Sequence, residues 1–566
     1  MSHALPGAAA ALALLCGCAP TMSAQRPAAP VDRRPNILLI VAEDMNLRVG
    51  AFGDTLADTP NIDRLAAEGV RYPNAFTTSG VCSPSRSSLI TGVHQQTLGT
   101  QHMRTNKGGK PNGAAFAYEA VPPAEVKAFP ELLRRAGYTT LNDTKTDYQF
   151  GEPFSVWDRS AEGARWRDVP RDKPFFQMIT LMQTHESYIW PGDLEPRNAG
   201  EAKVIVRNRK NHARYPSRTD PAAVMVPPWL ADTPATRRDI ARHYDNIHAM
   251  DGMVGAILAQ LDADGLADDT IVIWTADNGD GLPRAKRSIY DSGIHVPLII
   301  RWPDHRKAGD EDRQLISFVD FAPTLLALAR APLPAYLQGR DFLGDGPKRD
   351  YIFAAADRMI NVFDRQKAAR DARYKYIRNY VPNEPYFRPL AYRDVMPTMR
   401  DLWAARERGT LTAVQRALFA APRPPEELYD VVADPFETVN LAGEARHAAA
   451  LHRLRGALDE WLRRTPDLSA MDERAMMLSM WPGGIQPQTA PARISRDADG
   501  RIRLRSATPG ASIEYRWRGD AGAGVWSLYT GPFEPIERGA IETRAIRYGY
   551  GASEMVTQMP EGAVAR

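Results

Sequence analysis

Cysteine is nearly absent from this chain. There are three in 566 residues; Cys16 and Cys18 fall in an apolar N-terminal stretch, and only Cys82 lies in the body. A disulfide framework is therefore excluded, and the body's one thiol has no intramolecular partner to pair with once the leader is gone. A charge excess is missing too, with 71 Lys and Arg against 68 Asp and Glu and a formal net charge of +3. That balance excludes a global basic field for nucleic acid or an anionic membrane surface, so any preference for anions has to be local. Long hydrophobic runs are confined to MSHALPGAAAALALLCGCAP at the start, and this one is too short for a membrane span, which takes about 20 apolar residues. Solenoid-type repeats are absent as well. The remainder has ordinary globular composition and enough length for one large domain with smaller partners.

The N-terminal run has the length of an export signal. Its end, LLCGC, resembles a bacterial lipoprotein cleavage site with Cys18 as the lipidated residue, although no Lys or Arg precedes the apolar run. Lipoprotein and simply cleaved signal both stay open, and the mature protein is expected outside the cytoplasm, either periplasmic or anchored to the outer membrane. After a Pro/Ala/Arg linker to about residue 34, PNILLIVAED reads as a buried strand ending in Glu43 and Asp44, and DDTIVIWTADNGD as another ending in Asp277, Asn278 and Asp280. The carboxyl ends of strands are where open α/β sheets hold ligands. Between them, NIDRLAAEGV, FPELLRRAGY and RHYDNIHAMDGMVGAILAQLDADG have helical spacing, the last with an apolar stripe through Ile247, Met250, Val254, Leu258 and Leu261. Strands alternating with helices predict an α/β domain over 35–357, with a large, mostly parallel sheet covered on both faces. RYKYIRNYVPNEPYFRP, LYDVVADPFETVNLA and ALHRLRGALDEWLRR predict a smaller α+β subdomain over 358–482. Short alternating runs broken by Gly and Pro predict a small β-sandwich over 488–566.

Cys82 stands in GVCSPSRSSLITG, where Pro84 and the serines favour a helix starting beside it. A helix N-terminus offers backbone N–H groups and a positive dipole end to an anion, and Arg86 adds a fixed cationic fork one turn on. An unplaced cysteine is more often a small buried hydrophobe, but these surroundings favour chemistry.

CSPSRSSLITG resembles the signature of the type I sulfatases, in which the cysteine of C-x-P-S-R is oxidised to formylglycine. The resemblance runs over most of residues 35–460, through TPNIDRLAAEGV, TADNGD, KRSIYDSGIHVPLIIRW, RYKYI and LYDVVADPFETVNLA. In the second half it is closest to the heparan N-sulfatase (sulfamidase) branch and its bacterial relatives. The resemblance implies an alkaline phosphatase-like α/β fold and hydrolysis of a sulfate ester or sulfamate on a sulfated saccharide. It also implies a maturation enzyme that generates formylglycine from Cys82, and one Ca2+ held by Glu43, Asp44, Asp277 and Asn278 with the matured Cys82. A hydrated aldehyde carries two hydroxyls on one carbon, one to attack sulfur and one to expel sulfate. Glu43 stands where the family usually has Asp. Arg86, Lys145 and Lys286 then form a sulfate clamp, and His185 protonates the departing atom. In NDTKTD the family's glycine is missing before Lys145, and Asp147 replaces its histidine, a residue better suited to orienting Lys145 or accepting from a sugar hydroxyl. His102 and Arg104 are placed as substrate or supporting contacts.

Two other readings stay open at this level. A phosphonate monoester or phosphodiester hydrolase of the same superfamily shares the signature, and a sulfated-glycan-binding protein would leave Cys82 unmatured. Within the main reading an exo-acting glycan sulfatase is expected, with N-sulfoglucosamine the leading single substrate and O-sulfated sugars favoured as a group. ATPGASIEYRW and WSLYTGPF resemble a small β-module of bacterial β-hexosaminidases, which fits a carbohydrate setting.

Overall fold

Six apolar residues in a row, Ile37 to Ala42, leave no polar face, so the strand they form, β1 (Asn36–Ala42), must be covered on both sides, and all six are fully buried. Burying one such Leu or Ile contributes about 1.5–3 kcal/mol. The computed structural model describes residues 34–107, 110–111, 116–518, 524–535 and 539–559. The leader with Cys16 and Cys18 lies outside the described residues.

β1 is the centre of a seven-stranded sheet. Its other strands are β2 (Val70–Arg71), β3 (Thr139–Asp143), β4 (Arg159–Ser160), β5 (Phe175–Leu181), β6 (Thr270–Ala276) and β7 (Leu298–Arg301), in the order β2-β7-β6-β1-β5-β3-β4. β1 is parallel to β5 and β6, and β3 to β5 and β4, whereas β7 runs antiparallel to both of its neighbours, β2 and β6. The sheet is mixed and mostly parallel, as the alternation predicts. Its helices include α1 (Pro60–Glu68), α2 (Cys82–Thr91), α3 (Phe129–Arg135) and α4 (Pro234–Ala263). The stripe on α4 is buried against the sheet, with none of its five residues more than 1% exposed. Strand register aligns the ends of the central strands: Ala42 lies opposite both Leu181 and Ala276, so β1, β5 and β6 end level.

An antiparallel sheet of β8 (Ile352–Ala356), β9 (Gln366–Arg370), β10 (Tyr374–Asn379) and β11 (Glu426–Asp430) comes next along the chain. It starts ahead of the change in character at Arg358, because β8, IFAAA, is as apolar as the strands before it. One face joins the main body through Ile352, Ala354, Ala368 and Ile377, packed with Phe76, Val81 and Ile289. Helix α5 (Pro397–Glu407) packs along α4, and α6 (Ala448–Arg464) covers the sheet's other face through Leu454, Leu458 and Trp461. Last comes a β module. A hairpin of β12 (Ala492–Arg496) and β13 (Ile502–Ser506) shares one core with the sheet of β14 (Ser512–Arg518), β15 (Ser527–Leu528), β16 (Ala540–Ile546) and β17 (Val556–Gln558). Among the described residues no helix is long and apolar enough to cross a membrane.

Candidate active site

The level ends of the three central strands bring their next residues together. Glu43 and Asp44 follow β1, Asp277 and Asn278 follow β6, and His185 and Glu186 follow β5 by a short 3-10 turn. The backbone continues the sheet for one more residue, with Glu43 N–H donating to the Leu181 carbonyl (3.2 Å) and Asp277 N–H to that of Ala42 (3.0 Å). Asp44 then turns into the left-handed region (φ 45°). Its backbone N–H donates to Asp277 Oδ1 (3.1 Å), while its carboxylate accepts from Asn278 Nδ2 (2.9 Å), Lys286 Nζ (2.5 Å) and the Glu186 N–H (2.7 Å).

Cys82 opens α2 and points its sulfur at this acidic edge, 3.8 Å from Glu43 Oε2 and 3.8 Å from Asp44 Oδ1. Four residues on, Arg86 is fully buried and divides its guanidinium between Asp277 (Nε to Oδ2, 2.9 Å) and Glu43. Removing one member of such a buried set leaves an uncompensated charge, at about 3–5 kcal/mol. Burial pushes the Cys82 thiol well above its ordinary pKa; Lys145 and Lys286 oppose that shift without cancelling it. As a free thiol it stays protonated at neutral pH.

Two lysines approach from opposite sides. Lys145 Nζ donates to Glu43 Oε2 (2.6 Å) and lies 3.8 Å from Asp277; Lys286 Nζ holds Asp44 and lies 3.2 Å from Glu186 and 3.3 Å from His185 Nε2. The segment carrying Lys286 fits this closely only because two glycines face it. A Cβ on Gly80 would lie 1.9 Å from the Ser288 carbonyl oxygen, and one on Gly279 2.0 Å from that of Ser292. Burial and the Lys286 ammonium hold His185 well below its usual pKa, so its ring is neutral, with Nδ1 against Ser187 Oγ (2.9 Å). Asp147 accepts from Ser83 Oγ (2.6 Å) and from Arg104 (3.3 Å), with Lys145 at 3.6 Å. Burial raises its pKa, but Arg104 and Lys145 outweigh that and hold it well below the carboxylate range.

The structure thus brings together Glu43, Asp44, Cys82, Arg86, Lys145, His185, Asp277, Asn278 and Lys286, with Asp147 and Arg104 at the margin. His102 does not join them. Its buried ring accepts the Arg358 backbone N–H (3.3 Å), and burial takes its pKa down to about 4. Three neighbours escaped the sequence reading. Ser83 holds Asp147, Glu186 holds Asp44, and Arg287 binds the Glu186 carboxylate through both nitrogens (2.9 and 2.5 Å). The HES run and the KR dipeptide were the available signals.

The donor set fits a divalent cation. Carboxylate oxygens of Glu43, Asp44 and Asp277 and the Cys82 sulfur lie within 4.8 Å of one another. The buried Oδ1 of Asn278 has no hydrogen-bond partner. Burial, and then Glu43 beside it, push the Asp277 pKa up to about 7, the mark of crowded negative charge. Hard oxygen donors in this number suit Ca2+ or Mg2+.

The sulfatase family profile matches residues 35–331, and that of the N-sulphoglucosamine sulphohydrolase C-terminal region matches 284–386. An ulvan-active sulfatase of Formosa agariphila is 41% identical over 93% of this chain and 91% of its own. The chain belongs to the sulfatase family. The sulfatase is also 27% identical to human N-sulphoglucosamine sulphohydrolase, over 77% of this chain and 91% of the relative. In three dimensions it resembles a protein solved with its substrate D-glucosamine-2-N,6-O-disulfate, with a TM-score of 0.54 and 20% identity over 76% of this chain and 98% of that one. It is therefore a hydrolase of sulfate esters or sulfamates.

Proposed function

We propose that this sulfatase removes O-sulfate from the terminal sugar of an ulvan-type polysaccharide, using Cys82 matured to formylglycine and one Ca2+ at Glu43, Asp44, Asp277 and Asn278. The observation that carries the proposal is a fully buried cysteine at a helix N-terminus, with carboxylate oxygens of Glu43 and Asp44 against its sulfur and one lysine on each of them, Lys145 on Glu43 and Lys286 on Asp44. Held protonated by burial, the thiol itself offers no nucleophile. When bound or formed, the formylglycine supplies paired hydroxyls for attack and release, and the cation supplies the Lewis acidity that lowers a hydroxyl's pKa. Arg86, Lys145 and Lys286 supply positive charge where the sulfuryl oxygens carry negative charge. His185 Nε2 and the Lys286 ammonium lie 3.3 Å apart at the acidic edge, and with His185 Nδ1 accepting the Ser187 N–H (3.2 Å), the Nε2 side of the ring is the one that faces the departing sugar oxygen and protonates it.

Substrate class rests on two supports. Similarity to the ulvan-active relative covers 93% of this chain, too much to leave out the C-terminal module, whereas similarity to the human sulphohydrolase covers 77%. Beside Lys286, a cleft is lined by Arg284, Arg287, Arg393, Asp357, Asp364 and Tyr386, a mostly cationic lining that suits an anionic chain. So deep a nucleophile favours a chain end over a mid-chain residue. Export and a Cys18 lipid anchor belong to the same proposal, resting on the leader sequence alone. Mass spectrometry of the peptide spanning Cys82 and a sulfate-release screen test the whole. The screen compares ulvan oligosaccharides, N-sulfoglucosamine, an aryl sulfate and the matching phosphate ester. Formylglycine and release from ulvan fragments are expected. An intact thiol in active enzyme overturns the mechanism, and release from N-sulfoglucosamine alone moves the substrate to sulfamates.

A further inference from the structure

The turn that carries Lys145 and Asp147 is held in a conformation side chains disfavour. Thr144 (φ 83°), Asp147 (φ 60°) and Gln149 (φ 67°) all lie in the left-handed region, and none is glycine. Such residues persist where the surroundings hold them. Here the holding group comes from the far end of the sequence. Tyr548, just after β16, stacks on Phe150 with centroids 5.1 Å apart and rings 9° from parallel, and Phe150 stacks on Tyr148 at 5.6 Å and 25°. None of the three is more than 2% exposed. The Gly549 N–H donates to the Phe150 carbonyl (3.1 Å), and the Ala120 N–H to that of Gln149 (2.8 Å). Gly549 (φ 79°) sits so close to Ala120 that a Cβ would lie 2.1 Å from its carbonyl oxygen. Behind the stack, Glu131 on α3 accepts from the Tyr548 hydroxyl (2.8 Å) and from Ser512 of β14 (2.6 Å), while Arg134 pairs with Glu514 (2.9 Å). The module is thus clamped to the body by buried polar contacts, with its aromatic edge against the catalytic turn.

We propose that Tyr548 and Gly549 are positioning residues for the sulfatase reaction, and that the C-terminal module is a strut keeping the 144–149 turn, with Lys145 and Asp147, on the sulfuryl site. The inference rests on the roles proposed for those two residues. Full-length Tyr548→Leu and Gly549→Ala test it. Tyr548→Phe serves as the variant that keeps the stack, and Ile502→Ala as one that weakens the module's core away from it. Kinetics on an aryl sulfate, melting temperature and hydrogen exchange are read for each. Loss of the stack is expected to lower kcat roughly 10- to 100-fold with a smaller change in KM, the scale of a misplacement of about 1 Å. Exchange should accelerate over 144–151 and not over α2. Tyr548→Phe should recover most of the rate, and Ile502→Ala should lower the melting temperature while leaving kcat of the folded protein in place. In an Asp147→Asn background, Tyr548→Leu should cost less than it does alone, because both act on one turn. Unchanged exchange over 144–151, or an equal kcat loss in Ile502→Ala at matched stability, overturns the strut. Exchange needs no turnover: a turn loosened in Tyr548→Leu relative to a wild type that itself releases no sulfate would leave the strut standing and remove the proposed chemistry instead.

Discussion

Glu43 and Asp277 share one guanidinium, that of Arg86, and the sharing governs what each substitution does. Asp277→Ala removes a proposed metal ligand and frees Arg86 Nε, so metal content and turnover are expected to fall together; retention of both by elemental analysis and assay would move the metal elsewhere. Glu43→Asp should keep both, because the long side chains of Arg86 and Lys145 can follow a carboxylate one methylene shorter. Lys286→Ala is expected to cost about 3 kcal/mol in kcat/KM, as removal of one oxyanion donor does; a change in KM alone would mean that Lys286 binds ground and transition states equally. Asp147→Asn should slow saccharide turnover more than aryl sulfate turnover if the carboxylate receives a sugar hydroxyl, and equal losses would place it at the sulfur. Most of these residues were legible because acidic pairs end apolar runs and C-S-P-S-R is contiguous. Glu186 and Arg287 were not, since their pairing spans 101 residues and no local spacing marks it. His102 shows the converse: lying just past α2 in sequence did not turn its ring toward the sulfur.

At the scale of elements, the site exists because β1, β5 and β6 end level. Parallel strands buried on both faces announce themselves as unbroken apolar runs, so β1 and β6 could be read directly. Their register could not, because it depends on pairing rather than on any one segment. The same holds for β8, whose apolar run looks like one more strand of the parallel sheet and instead opens the antiparallel one. The close seating of 286–293 against Gly80 and Gly279 is an element-level fit, and only a structure reveals it. Gly279→Ala would drive a methyl group against backbone, which does not yield as a flexible side chain would. A loss of about 1–3 kcal/mol in stability is expected, together with a fall in activity as Lys286 is displaced. Thermal melting and kcat measured on the same preparation check both. Unchanged melting would show that the backbone there gives way.

Across the whole molecule, buried carboxyls fasten the C-terminal elements to the catalytic body. Asp239 on α4 accepts from the Thr398 N–H (2.9 Å) and hydroxyl at the start of α5. Burial carries its pKa up to about 7, against about 4 in an unfolded chain. As pH rises from about 4 to 7 the unfolded carboxyl ionises while the folded one keeps its proton, so stability falls across that window. Asp239→Asn cannot ionise, and its melting temperature relative to wild type should be higher at pH 8 than at pH 5. A difference independent of pH would restore Asp239 to an ordinary carboxylate. The stack from Tyr548 to Tyr148 was invisible in the sequence, since it joins two segments no pattern connects. That stack also bears on timing. Cys82 emerges early in synthesis and Tyr548 late, so the catalytic turn cannot take its final seat until most of the chain has been delivered. An unfinished chain therefore lacks both the ring stack and the Gly549 hydrogen bond that meet Phe150 at the end of that turn.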